Sequence, residues 1–266
     1  SVNTAVKLND GTLEVNSGST INLQSGLEMV HASDVVKGGG DINIFSTFDF
    51  KLGKVEGSGG FETKGPSNIG SSGNVSLDTR TWTNSANATL LSNSLQFLNT
   101  PMFINKSGAG FDISSTGTLG GTGTFNNYGK LDKTAAGTSS IPATVTLNNK
   151  AAGELNIDTG TLSFASTLIN YGRINVSTGA ILSITGNLDN ESGANLEGEG
   201  TISLTGTLNN NGTVSPGDSP GKLSLFGNYV QSATGILQAE LGGTTFGVSY
   251  DVLDVTGSVT LNGTLQ

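Results

Sequence analysis

The feature that most limits what this chain can become is a repeat built around asparagine. An apolar residue is followed closely by Asn at Trp82-Thr83-Asn84, Phe103-Ile104-Asn105, Phe125-Asn126-Asn127 and Leu147-Asn148-Asn149. The series continues at Leu168-Ile169-Asn170, Leu188-Asp189-Asn190 and Leu208-Asn209-Asn210. The aligned asparagines lie 21, 22, 22, 21, 20 and 20 residues apart, and Gln231 follows 21 residues after the last with the same amide chemistry. A fixed period of this length is the mark of a solenoid.

The stretches between the asparagines repeat as well. Six residues on stand Leu90, Phe111, Leu155, Val176 and Leu196, and about fourteen on stand Leu98, Leu119, Phe164, Ile184 and Leu204. Each repeat thus carries short apolar segments, as in Ile174-Asn175-Val176, Ile181-Leu182-Ser183-Ile184 and Leu188, with Gly172, Gly179 and Gly186 between them. Glycine supplies 40 of the 266 residues and, with Asn, falls between most of the short apolar segments, so a long-helix protein is not expected. Segments this short, bounded by Gly and Asn, are strands. The expected fold is all-β: a parallel β-helix of 20–22 residues per coil with three short strands per coil. One such coil cannot bury its apolar edge, but stacked coils bury a continuous column. Asparagine tolerates the tight corners, and stacked amides hydrogen-bond along the axis. The Asn row is therefore read as structural, in preference to a ligand-binding row.

Residues 1–80 fit the period less well. Gly11 to Leu23 resembles one or two coils, whereas 24–70, with Met29, His31, Val35, Val36, Phe45, Phe48 and Phe50, reads as irregular coils, an insertion or a cap. A boundary near residue 75 has no proline-rich or charged linker to mark it. Residues 1–266 are therefore expected to form a single β-helical domain, regular over 81–266. Binding function is expected in 24–70, since irregular segments on a regular scaffold carry recognition.

Twelve basic residues against 21 acidic ones leave a net charge of −9, a field that repels phosphate backbones and anionic headgroups. Nucleic acid is not an expected partner. Cysteine is absent, which excludes a disulfide scaffold, thiolate zinc sites and a cysteine nucleophile. No apolar run is long enough for a membrane-spanning helix. Ser1 is not an initiator Met and the chain stops within its pattern at Gly263-Thr264-Leu265-Gln266, so it reads as part of a longer protein.

Little in the chain points to catalysis. His31 is the single histidine and has no evident partner in sequence. Asp218-Ser219 within Ser215-Pro216-Gly217-Asp218-Ser219-Pro220-Gly221 superficially resembles the nucleophile loop of serine proteases, but the repeated Pro-Gly is turn chemistry. Polysaccharide-cleaving β-helices, such as pectate lyases and polygalacturonases, use clustered acidic and basic residues. Here Glu197 and Glu199 are near each other and Glu240 is isolated, so a solvated face is the plainer reading. A glycosidase would need two carboxylates roughly 5–10 Å apart. Gly38-Gly39-Gly40-Asp41-Ile42-Asn43-Ile44 resembles one unit of a calcium-binding nonapeptide repeat, but a single copy lacks the neighbouring turn that shares the ion. Gly120 to Thr124 lacks the Lys of a phosphate loop and reads as a corner, and no Thr-x-Thr column recurs from coil to coil. The Asn-x-Ser/Thr sequons, at Asn74, Asn87, Asn105, Asn175, Asn190, Asn211 and Asn262, are expected by chance in such a composition. No catalytic, cofactor or metal residue is assigned, and no cofactor is expected.

The last fifth of the chain carries a resemblance. Val214-Ser215-Pro216-Gly217-Asp218-Ser219-Pro220-Gly221-Lys222-Leu223 is followed by Gly227-Asn228-Tyr229-Val230-Gln231, Leu237-Gln238-Ala239-Glu240-Leu241-Gly242-Gly243 and Tyr250-Asp251-Val252-Leu253-Asp254-Val255. This order resembles the late passenger region of bacterial autotransporters and related large surface adhesins, over residues 208–266 and more generally over 81–207. The resemblance implies export, display at or release from the bacterial cell surface, and a role in adhesion. The Asn-Pro-Asn-Gly signature of two-partner secretion and a membrane barrel are both missing, which leaves the secretion route open. The expected function is a non-catalytic adhesin segment, acting as a rigid stalk or as an adhesive surface for glycans or neighbouring cells. The alternatives are a polysaccharide-degrading β-helix and a self-associating aggregation module.

Overall fold

The computed structural model describes residues 1–217, 220–245 and 249–266. The fold is the expected parallel β-solenoid, all strand and turn, with about 11 turns and three sheets per coil. It divides into two compact units: residues 1–131 with 139–147, and residues 132–138 with 148–266.

In the first unit one sheet is built from Val6–Leu8, Leu27–Met29, Phe48–Phe50, Ser67–Ile69, Asn87–Leu90 and Gly110–Ile113, each hydrogen-bonded in parallel to the next. A second is built from Thr12–Glu14, Val35–Lys37, Gly53–Glu56, Val75–Asp78, Ser94–Leu98 and Thr118–Gly121, and a third from Thr20–Leu23, Asp41–Ile44, Phe61–Thr63, Thr81–Asn84, Met102–Asn105 and Gly123–Asn127. Alternate residues point inward, so each strand adds its apolar side chains to columns that run along the stack. One such column is Leu8, Met29, Phe50, Ile69, Leu90 and Ile113. Rings fill this interior: Trp82 lies 5.5 Å from both Phe48 and Phe61 and 5.0 Å from Phe103, which stacks on Phe125 at 4.8 Å.

Residues 24–70 carry strands in the same register as the rest. Leu23, Ile44, Thr63, Asn84 and Asn105 occupy successive positions of one column. The coils are present there, but the column slot that holds asparagine later in the chain is filled by Leu, Ile and Thr, so the marker that reveals the period is missing.

The second unit continues the plan with aliphatic columns, such as Leu155, Ile174, Leu196, Val214, Leu237 and Leu265. Two of its coils differ in having a single ten-residue strand, Thr201–Asn210 and Lys222–Gln231, that turns the corner between two faces at an irregularity between Ser203 and Thr207. Among the described residues there is no helix long and apolar enough to cross a membrane.

The asparagines form the expected internal ladder. Asn84 donates to the Asn105 Oδ1 at 2.9 Å and Asn105 to the Asn127 Oδ1 at 2.8 Å. In the second unit Asn149, Asn170, Asn190 and Asn210 are linked likewise, at 2.8, 2.9 and 2.9 Å. The amides of Asn84, Asn105, Asn149, Asn170, Asn190 and Asn210 also donate to a main-chain carbonyl, for example Asn105 to Lys130 O and Asn190 to Thr213 O. All are fully buried, and this double use of each amide is what makes a buried polar column tolerable. The ladder ends when Asn210 donates to the Tyr229 hydroxyl at 3.2 Å, which donates in turn to Gln231 Oε1 at 2.7 Å. Burial pushes the Tyr229 hydroxyl up to about 12, partly offset by the bond from Asn210.

Candidate groove site

The groups with most chemical potential gather on one outer face of the second unit. Outward positions of consecutive strands bring Arg173 and Asn175 (from Arg173–Val176) beside Asn195 and Glu197 (from Asn195–Gly198), with Ser215 next in register to Glu197. Gly198 has a φ of +117°, which carries the chain round the corner so that Glu199 faces the same space. Arg173, Asn175, Ser177, Thr178, Glu197, Gly198, Glu199 and Gly217 line a cavity of about 180 Å³. A neighbouring cavity of about 190 Å³ lies against Glu197, Ser215, Pro216, Gly217, Gln238, Glu240 and Asp251. Together they form a shallow polar groove.

Its charged groups are held by an ion pair and by neighbouring polar groups. Glu197 Oε1 accepts from Arg173 Nε at 2.6 Å and also from Nη2, while its other oxygen accepts from the Asn195 amide. Glu199 Oε2 accepts from the Thr178 hydroxyl at 2.6 Å. Asp251 closes the far side: Oδ1 accepts the Gly221 N–H and Oδ2 the Glu240 N–H, both at 2.8 Å. That bond belongs to an excursion from the coil between Leu237 and Val252, where Leu241 and Tyr250 form an antiparallel bridge and Gly242 N–H donates to Ser249 O at 2.7 Å. Among the described residues the departure from the coil plan therefore lies here, at 238–245 and 249–251, whereas 24–70 keeps the strand register of the other coils. The unusual length between Leu237 and Val252 was the signal in the sequence that could have located it.

Glu197, Glu199 and Glu240 are thus brought into one groove, although the sequence pattern alone favoured a plain solvated face for the first two and isolation for the third. Asp218 and Ser219 lie outside the described residues. His31 stands in the first unit, with Nδ1 3.7 Å from Asp10 Oδ1 and its side chain half-exposed. Ser33 donates to the same Asp10 oxygen and not to the imidazole, so acid, base and hydroxyl are not in relay order.

The segment Gly38 to Ile44 holds a cation, but one supplied by the chain. The fully buried Arg80 donates through Nη1 to Glu56 O at 2.8 Å and Gly38 O at 3.4 Å, and through Nη2 to Gly40 O and to Gly60 O at 3.2 Å. Asp41 Oδ1 accepts the Gly60 N–H at 2.8 Å. The carbonyl oxygens that a calcium loop would offer are spent on a guanidinium. The entry of Arg80 is forced by Thr79, a β-branched residue at a φ of +58°, across which Arg80 N–H donates to Asp78 O at 2.6 Å.

Searches of protein families, of curated proteins and of solved structures found no match to the chain.

Proposed function

We propose that this chain is a non-catalytic β-helical segment of a bacterial adhesin, secreted or displayed at the cell surface, which serves as a rigid stalk and contacts glycans or neighbouring cells through the groove at Arg173, Glu197 and Glu199. The observation that carries this reading is the groove itself. Arg, Asn, Ser, Thr and Glu side chains from successive coils stand on one face, already oriented by mutual hydrogen bonds. Polar groups fixed in this way exchange hydrogen bonds with a polyhydroxylated chain at little ordering cost, and a shallow face suits weak, multivalent contact. The resemblance of residues 208–266 to autotransporter passengers agrees with it.

The test is binding of the purified chain to a broad glycan array, with and without calcium, beside an Arg173→Ala, Glu197→Gln variant. Saturable binding lost in the variant is the expected result. A chain that binds nothing, or a variant that binds as well as the parent, removes the groove from the proposal.

A second reading, a polysaccharide lyase or hydrolase, is favoured by one observation: two carboxylates, Glu197 and Glu199, line one cavity. It requires turnover of a polyuronate or glucan that Glu199→Gln abolishes. No turnover across such a panel ends that reading.

A further inference from the structure

Two Asn-Gly pairs occur in the chain, Asn211-Gly212 and Asn262-Gly263. In such a pair the main-chain nitrogen of glycine meets the preceding side-chain amide with no Cβ to hinder it. The two pairs have opposite surroundings. Gly212 is buried and its N–H donates to Asn190 O at 3.1 Å. A Cβ there would stand 2.4 Å from Ala194 O and 2.5 Å from Glu191 O, so rigid main chain closes round it. Asn262 and Gly263 are both exposed. The Asn262 side chain folds back over the next peptide, and Gly263 N–H donates to Asn262 Oδ1 at 2.8 Å. That rotamer holds the glycine nitrogen beside the side-chain carbon.

We propose that Asn262 is a self-modification site, where the Gly263 nitrogen cyclises onto the side-chain amide and converts it to a carboxyl group. The deprotonated nitrogen attacks Cγ. The N–Cγ bond forms, the Cγ–Nδ2 bond breaks, and the leaving nitrogen takes protons from solvent to depart as ammonia. Water then adds to the five-membered succinimide and opens it at either carbonyl. One opening gives aspartate; the other gives isoaspartate, whose main chain runs through the former side chain. Water is the only co-reactant, and no electrons are transferred. The isoaspartyl carboxyl is the kind of group that a carboxyl methyltransferase consumes.

The position gives the reaction a structural consequence. Gln231 Nε2, at the end of the amide ladder, donates to Asn262 O and to Thr264 O at 3.0 Å. In isoaspartate the Asn262 carbonyl that accepts from Gln231 becomes the free carboxylate, and the main chain instead runs through an added methylene and the former side-chain carbonyl to Gly263. This places the carboxylate beside an apolar cavity of about 260 Å³ lined by Leu237, Leu261 and Leu265. Modification therefore loosens the anchor of Gln231 on the last coil.

Digestion separates the two pairs, because Arg173 and Lys222 leave Asn211 in Ile174–Lys222 and Asn262 in Leu223–Gln266. The folded chain is incubated in mildly alkaline buffer made with heavy-oxygen water, digested in ordinary water and sequenced by mass spectrometry. Asn262 is expected to convert at least about tenfold faster than Asn211, whose reaction needs local opening of the coil. The product is expected to accept a methyl group from an isoaspartyl methyltransferase, and Asn262→Gln is expected to remove the signal. In the urea-unfolded chain the two sites are expected to convert at similar rates. Equal rates in the folded chain, faster reaction at Asn211, or no reaction at Asn262 while the unfolded chain reacts would each overturn the proposal.

Discussion

At the scale of single residues, this interior depends on polar groups that have no spare partners. Asn170 receives the Asn149 amide and the Gly172 N–H on Oδ1 and donates to Asn190 Oδ1 at 2.9 Å. Asn170→Ala leaves buried donors and an acceptor without partners, and the expected cost is about 2–4 kcal/mol. Asn175→Ala, on the outer face of the next strand, is expected to stay within about 0.5 kcal/mol. Denaturant midpoints of the two variants check this, and equal losses would mean that the ladder contributes no more than a surface amide. Asp34 is a second such residue. Burial pushes its carboxyl up, but N–H donors from Gly11, His31 and Val30 together outweigh burial and hold it below the ordinary value. A depressed carboxyl contributes its stability in full above the unfolded value of about 3.9 and loses it as pH falls through the lower folded value. Asp34→Asn is therefore expected to be less stable than the parent near neutrality, with the gap closing in acid. A gap that does not change with pH would show that the charge of Asp34 has no such role.

At the scale of the strand and its corner, the coil is limited by how closely main chains approach. Gly38 turns the chain with a φ of +109°, and a Cβ there would lie 2.1 Å from Val15 O in the adjacent coil. Gly179 also has a positive φ, +79°, but nothing stands within 4 Å of its missing Cβ. Gly179→Ala is expected to cost only the left-handed penalty of about 1 kcal/mol. Gly38→Ala adds a steric clash between coils and is expected to cost more than about 3 kcal/mol. Similar midpoints for the two would show that neighbouring coils can move apart at that corner. The corner at Thr79 does the opposite: a β-branched residue accepts a left-handed φ, and Arg80 thereby reaches carbonyl oxygens of the two preceding coils, Gly38 and Gly40 in one and Glu56 and Gly60 in the other. The interior charge is compensated by main-chain dipoles, while burial pushes the guanidinium down from its ordinary value.

At the scale of the whole molecule, contacts in a solenoid run between neighbouring coils, so its stability is a sum of local terms. The division into two compact units agrees with this. Urea unfolding followed by hydrogen exchange is expected to show more than one step, with amides of Val252–Val255, Val259–Thr260 and Thr264–Leu265 exchanging well before those of Arg173–Val176 and Leu188–Asn190. The reason is exposure: Val259, Leu261 and Leu265 are 51%, 64% and 73% exposed, whereas Ile174, Val176 and Leu188 are buried. A single transition with uniform protection would contradict it.

The spacing of Asn84 to Asn210 by itself determined the architecture, because a repeated residue at a fixed period must occupy one column when coils stack. It determined the internal ladder for the same reason, since an amide is the side chain that both donates and accepts along a column. The same marker failed at Leu23, Ile44 and Thr63, where the column persists but its chemistry changes, so those coils became visible only through strand register. The groove was also decided by tertiary structure. Arg173, Glu197, Glu199, Glu240 and Asp251 are spread over 79 positions of sequence, and only the stacking of coils and the turn at Gly198 bring them to one face. Periodicity reports which residues share a column; which columns and excursions border the same space depends on corner geometry that the period does not encode.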